Sequence, residues 1–145
     1  MRFKKLRMCL WLALVLSLAF AMWGWLRPYE WNHDPAARCT VEGVQVTPDR
    51  GYFWVETHLK VDSGKTHDLQ KPVFLELSDS RKLEPADTTF GGSEGTGTTD
   101  IWLKFWLENK DIAGPLALHL NDGKLSIKAG PGVPPKTRYY VTNHW

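Results

Sequence analysis

Five histidines, His33, His58, His67, His119 and His144, are the side chains best suited to acid–base or metal chemistry near neutral pH, so their spacing decides what they can do. None stands in an HxH or HExxH arrangement and there is no CxxC. Any metal site would have to be assembled entirely by the fold. The adjacent pairs His33-Asp34 and His67-Asp68 send neighbouring side chains in diverging directions along an extended chain, which does not make a base with its orienting carboxylate. No serine stands in GxSxG; Ser63, Ser78, Ser80 and Ser93 sit beside Gly or Asp in turn-like settings. The tract GGSEGTGTTD has the glycines of an anion-binding nest, but it opens no helix and is followed by no lysine, so it reads as an inter-strand loop. Glu94, with Asp87 and Asp100 on either side, is the one set of hard oxygen ligands and would make only a loose calcium site. The chain therefore carries no catalytic motif, calls for no metal or cofactor, and reads as a non-enzyme.

What remains is an aromatic constellation. In IWLKFWLENKD, Trp102 and Trp106 flank Lys104 at two-residue intervals, which along a strand places the two indoles about 13 Å apart. Tyr52 and Trp54 take the matching positions of another run, TPDRGYFWVETHLKV. If the two runs were neighbours in one sheet, Tyr52, Trp54, Trp102, Lys104 and Trp106 would form an outward platform. Such a platform suits stacking on sugar rings, peptide side chains or a partner domain. The competing expectation is that the C-terminal TRYYVTNHW or the long loop from Arg81 to Thr99 covers those rings.

The platform depends on these segments being strands, and periodicity supports that. At a helical 100° per residue, Ile101, Trp102, Leu103, Phe105, Trp106 and Leu107 scatter around the whole circumference. At a period of two, Ile101, Leu103, Phe105 and Leu107 share one face, and Trp102, Lys104, Trp106 and Glu108 the other. Phe53, Val55, Thr57, Leu59 and Val61 alternate in the same way against Tyr52, Trp54, Glu56, His58 and Lys60. PVFLELS puts Val73, Leu75 and Leu77 on one face, and LALHLNDGKLSIK is a hairpin pattern around NDG. A last run with Tyr139 and Val141 is expected to close a sheet edge. About seven short strands with frequent turns predict an all-β, two-sheet sandwich over residues 39–145.

Upstream, MRFKKLR precedes an uncharged run from Met8 to Leu26, long enough as a helix to span roughly the 30 Å hydrocarbon core. The expectation is a basic cytoplasmic segment over 1–7, an anchor over 8–26, and a spacer over 27–38. Trp23, Trp25, Tyr29 and Trp31 would gather at the outer headgroups as an aromatic belt. The alternative is a signal peptide cleaved after Ala21, which would leave the body secreted. Either reading exports the body, and the short basic leader places it in the periplasm or outside a bacterial cytoplasmic membrane.

The net charge of +2 belongs to the leader: from Pro28 onward 13 basic side chains face 16 acidic ones, without a cationic stripe. A phosphate backbone has nothing to bind there, so nucleic acid is excluded as a partner. Cys9 lies in the apolar run and Cys39 beyond the spacer, so no internal disulfide follows. Cys39 reads either as a small semi-buried hydrophobe or as a thiol linking two chains.

A leader helix followed by VEGVQVTPDRGYFWVETHLKV, FLELSDSRKLEPADTTF and IWLKFWLENKDIAGPLALHL resembles the broad group of membrane-anchored bacterial immunoglobulin-like domains of unknown function, the DUF4352 and FxLYD types. The resemblance spans most of Cys39 to Leu120. It departs from that group in lacking a Cys-Trp-Cys core and a spelled-out FxLYD signature. It implies an exported immunoglobulin-like sandwich and hands over no active site. The function expected is thus binding of an envelope protein or an extracytoplasmic polymer. Two alternatives are an accessory subunit of a membrane complex assembled through its transmembrane helix, and an envelope hydrolase.

Overall fold

A computed structural model describes residues 2–26 and 34–145. Arg27 to His33, and with them Tyr29 and Trp31 of the expected aromatic belt and most of the spacer, lie outside the described residues. Helix α1 (Arg2–Leu26) is long and apolar enough to cross a membrane, and none of its residues is buried.

The body is built from nine strands among the described residues: β1 (Cys39–Asp49), β2 (Tyr52–Val61), β3 (Phe74–Glu76), β4 (Lys82–Leu83), β5 (Asp87–Ser93), β6 (Gly97–Glu108), β7 (Leu116–Leu120), β8 (Gly123–Lys128) and β9 (Arg138–Tyr140). They form two antiparallel sheets, ordered β5-β6-β2-β1-β9 and β4-β3-β7-β8. The two strands beyond the expected seven are the short β4 and the edge strand β5, both within the Arg81–Thr99 segment read as a loop; the glycine-rich tract is divided between the end of β5, a turn and the start of β6. One turn of helix, α2 (Asn109–Ile112), follows β6.

A single core joins the sheets. Val41, Val44 and Val46 of β1, Phe53, Val55 and Leu59 of β2, and Ile101, Leu103, Phe105 and Leu107 of β6 meet Leu75, Leu116, Leu118, Leu120, Leu125 and Ile127 from the other sheet. The period-two pattern holds through β2 and β6, where odd-numbered residues from 53 to 59 and 101 to 107 are buried and even ones are not. Thr57, the polar member of that buried set, donates from its hydroxyl to the Leu103 carbonyl, which removes the cost of burying it.

Both tight hairpins use positive φ, though not at the same residues. Arg50 and Gly51 (φ 51° and 86°) join β1 to β2 as a two-residue turn whose twist suits the strands it links. In NDG, Asn121 takes the positive φ of 53° and Gly123 does not. Gly123 is required for a different reason: a Cβ there would stand 2.6 Å from the Ala37 Cα and 2.8 Å from the Ala36 carbonyl carbon.

The segment pressing on Gly123 is the 3-10 turn Pro35–Ala37, which the sequence assigns to the spacer. It is strapped to the β7–β8 hairpin. The Asn121 side-chain amide donates to the Ala37 carbonyl at 2.6 Å, and the Asp122 N–H to the Ala36 carbonyl at 3.3 Å. The Lys124 N–H donates to Asp34 Oδ2 at 2.9 Å, and Ala37 is fully buried. Among the described residues, the body thus includes Asp34–Arg38 as well as the strands. Cys39, immediately after the strap, is also fully buried, and burial pushes its thiol up to about 11. Little thiolate and no exposed sulfur remain for exchange with a second chain.

Candidate functional site

The β2–β6 register brings the expected platform residues together. Trp54 lies opposite Trp106, Glu56 opposite Lys104, His58 opposite Trp102, and Lys60 opposite Asp100. Aromatic rungs therefore alternate with ionic ones down the outer face of the five-stranded sheet. The Tyr52 and Trp106 rings stack with centroids 4.9 Å apart and planes 14° from parallel, and Trp54 meets Trp106 at 4.3 Å in a tilted contact. The Lys104 ammonium lies 5.0 Å from the centre of the Trp54 ring, within cation–π range. Tyr52 is 40% exposed and Trp106 37%, while Trp54 and Trp102 are half-buried by their neighbours on the same face. Of the segment Arg81–Thr99 expected as a cover, β5 pairs along β6 and Gly91 lies against the Trp102 ring; among the described residues the C-terminal tail makes no ring contact with these four aromatics.

Sequence reasoning missed a second cluster that extends the first. The His58 ring stacks on Trp102 at 4.7 Å and 7°, and its Nε2 shares a 2.8 Å hydrogen bond with Asp100 Oδ1. The Thr99 hydroxyl donates to Asp100 Oδ2 at 2.7 Å. The far end of the Trp102 indole lies over Gly91 of β5, where a Cβ would stand 2.7 Å from it. On the other side, the Tyr139 ring covers Gly43 of β1, opposite His58. Two backbone positions without side chains thus let two rings lie close to the sheet. Alternation places His58 beside Trp102 once the strands are paired, but the sequence does not give the pairing partner.

The geometry of these stacks limits what the face can bind. Parallel rings with centroids under 5 Å apart must overlap face to face, since rings side by side in one plane would collide. Each stack occupies one face of each ring it joins, and Lys104 lies over a face of Trp54. The aromatic side chains are interleaved with Lys104, Glu56, His58 and Asp100, a mixture that suits the mixed surface of a protein.

His58, Asp100 and Thr99 do not make a nucleophilic triad, because the Thr99 hydroxyl is given to the carboxylate and not to the imidazole. On the opposite sheet, His119 shares a hydrogen bond with Glu76 and stacks on Phe74 at 4.4 Å. Next to it a groove of about 550 Å³ is lined by Glu76, Ser78, Lys124, Ser126 and Lys128 among others. Lys128 is fully buried, and burial lowers its pKa. Its ammonium donates to the Gly130 carbonyl and lies 5.1 Å from the Trp145 ring centre, so it serves to fix the C-terminal tail and is not free for a ligand. No group of three or more His, Cys, Asp or Glu among the described residues could hold a metal; Asp87, Glu94 and Asp100 do not converge.

Four carboxyls are held below the usual carboxylate range by their partners: Glu76 by His119, Asp79 by Arg81, Asp100 by Thr99 and then His58, and Asp122 by Lys71. A folded-state pKa below the unfolded one stabilises above the unfolded value, near pH 4, and that stability is lost as pH falls through the lowered values. The melting temperature should therefore drop from about pH 4 downward. A melting curve unchanged between pH 5 and 2 would show that these pairs contribute nothing.

No protein-family model, no curated protein and no solved structure matches this chain.

Proposed function

We propose that this protein is a membrane-anchored, non-catalytic binding domain that engages another envelope protein through the outer face of its five-stranded sheet. In this reading α1 spans a bacterial cytoplasmic membrane with its basic end inside, and the body is an immunoglobulin-like sandwich on the far side. The observation that supports it is the row of rings from exposed Tyr52 and Trp106 to half-buried Trp54 and Trp102, interleaved with the Glu56–Lys104 and Lys60–Asp100 rungs. A purely structural sheet face has no need of three tryptophans on its solvent side, whereas aromatic residues set among a few charges are the usual anchors of protein interfaces. The charged rungs set between the rings favour a protein over a polysaccharide among the partners the composition allows.

The test uses the full chain in its native envelope, with a photo-cross-linking residue at Thr47, opposite Trp54 and beside the array. A protein partner should be captured. Trp102→Ala and Trp106→Ala should each reduce capture about tenfold or more, as loss of an interface anchor does, while the melting transition stays cooperative. Equal capture by both variants, or capture of glycan strands alone, would remove the reading.

A further inference from the structure

A sheet edge is a row of unpaired backbone donors and acceptors, and folded proteins shorten, charge or cover such edges. Three of the four edges in this body are managed in that way. Strand β4 has two residues and β9 has three. Strand β8 is held at one end by the Pro35–Ala37 turn and at the other by the tail, where the Ala129 N–H donates to the Asn143 carbonyl at 2.7 Å and the Trp145 indole N–H to the Ile127 carbonyl at 3.1 Å. Strand β5 is different. It has seven residues, DTTFGGS, with no proline and no lysine, and it ends the five-stranded sheet with only β6 beside it.

Beneath β5 runs a groove of about 420 Å³, lined by His67, Leu69, Val73, Pro85, Thr88 and Phe90 among others. Leu69 is 73% and Phe90 46% exposed, an unusual pair of large apolar side chains to leave beside an open edge. Near the groove Lys71 is paired with Asp122, and His67 shares a hydrogen bond with the Asn121 side chain and stacks on Phe90. Glu84 and Asp87 are exposed at the end where β5 begins, and neither forms an ion pair among the described residues.

We propose that the β5 edge and this groove receive an extended segment of the partner protein, which adds to the five-stranded sheet as a further strand. Cross-strand neighbours share a face, so side chains of the added strand opposite Thr88 and Phe90 enter the groove, and those opposite Asp87 and Thr89 emerge beside Trp102. The segment recognised is therefore apolar at alternate positions and carries a lysine or arginine at an outward position that meets Asp87. This rests on the reading of the body as a protein-binding domain. It adds what the ring array alone lacks, backbone hydrogen bonds that select an extended chain.

The probe is a displayed library of random peptides selected on the full chain in lipid nanodiscs. Enriched peptides should alternate apolar and polar residues around a cation. The best of them should slow hydrogen exchange at alternate amides of Asp87 to Ser93, and should bind Phe90→Lys about tenfold or more weakly. Asp87→Lys should weaken binding of the same peptide, and methylating its alternate backbone nitrogens should abolish it. Enrichment without alternation, β5 amides unchanged by peptide, undiminished binding to Phe90→Lys, or β5-to-β5 cross-links between two copies would each overturn the proposal. Because the peptide is assayed without the native partner, the two readings separate: binding that survives Trp102→Ala and is lost in Phe90→Lys supports strand addition even if the ring array proves inert.

Discussion

Phe105→Ala is expected to remove about 4 kcal/mol of folding free energy, and Trp106→Ala, one residue along the same strand, only about 1. The difference comes from the pleat of β6. Phe105 is fully buried, among the largest side chains in the core, and sits between Leu103 and Leu107 on the face that meets the other sheet. Removing its ring forfeits the transfer free energy and leaves a cavity that well-packed neighbours cannot fill. The larger Trp106 side chain gives up only its contacts with Tyr52 and Trp54 and exposes little that was dry. Denaturant unfolding of both variants in the same detergent measures the two losses. Similar values would mean that the outer face is as much a core as the inner one.

Gly123→Val is expected to cost about 3 kcal/mol and lower the melting temperature by roughly 10 °C. The added side chain would be driven into the main chain at Ala36 and Ala37, which cannot rotate aside as a side chain could. The strap must lift, which releases the hydrogen bonds from Asn121, Asp122 and Lys124 and uncovers Ala37. A second readout separates this from general destabilisation. Cys39, buried directly after the strap, should react with a thiol reagent in the folded variant far faster than in the parent chain. A variant with an unreactive Cys39 and an unchanged melting temperature would show that the hairpin can move away intact.

The faces of β2 and β6 were legible because a half-buried strand writes its environment into alternate residues, and Phe53 to Leu59 and Ile101 to Leu107 do so with Thr57 as the one polar member of the buried set. The pairing of those two strands was not, since Asp62 to Thr96, two further strands and β5 lie between them in the chain. β5 escaped notice because its pattern is nearly blank. Gly91 and Gly92 give no period, and their reason for being there is a ring and a carbonyl supplied by β6. The Asp34–Ala37 segment looked like spacer because it lies in Arg27–Arg38, whose two prolines and lack of apolar periodicity are those of a loop. What holds it is three hydrogen bonds to a distant hairpin, each with a main-chain group on at least one side, and backbone partners leave almost no trace in residue types. The ring array itself was readable as residues but not as geometry: alternation places Trp102 and His58 outward, and only the register shows that one face of each is spent on the other.

The Asp34–Ala37 strap also governs how a pull on this molecule is shared. Tension arriving along the polypeptide from α1 would, without the strap, act directly on Cys39 and unzip β1 from β2 one rung at a time. Because Asp34, Ala36 and Ala37 are fastened to Asn121, Asp122 and Lys124, the tug meets the four-stranded sheet before it reaches the five-stranded one. A body gripped by a partner at β5 and tethered at Asp34 would thus be stretched across both sheets at once, in shear, with its ring-bearing face held in register while the tether is taut.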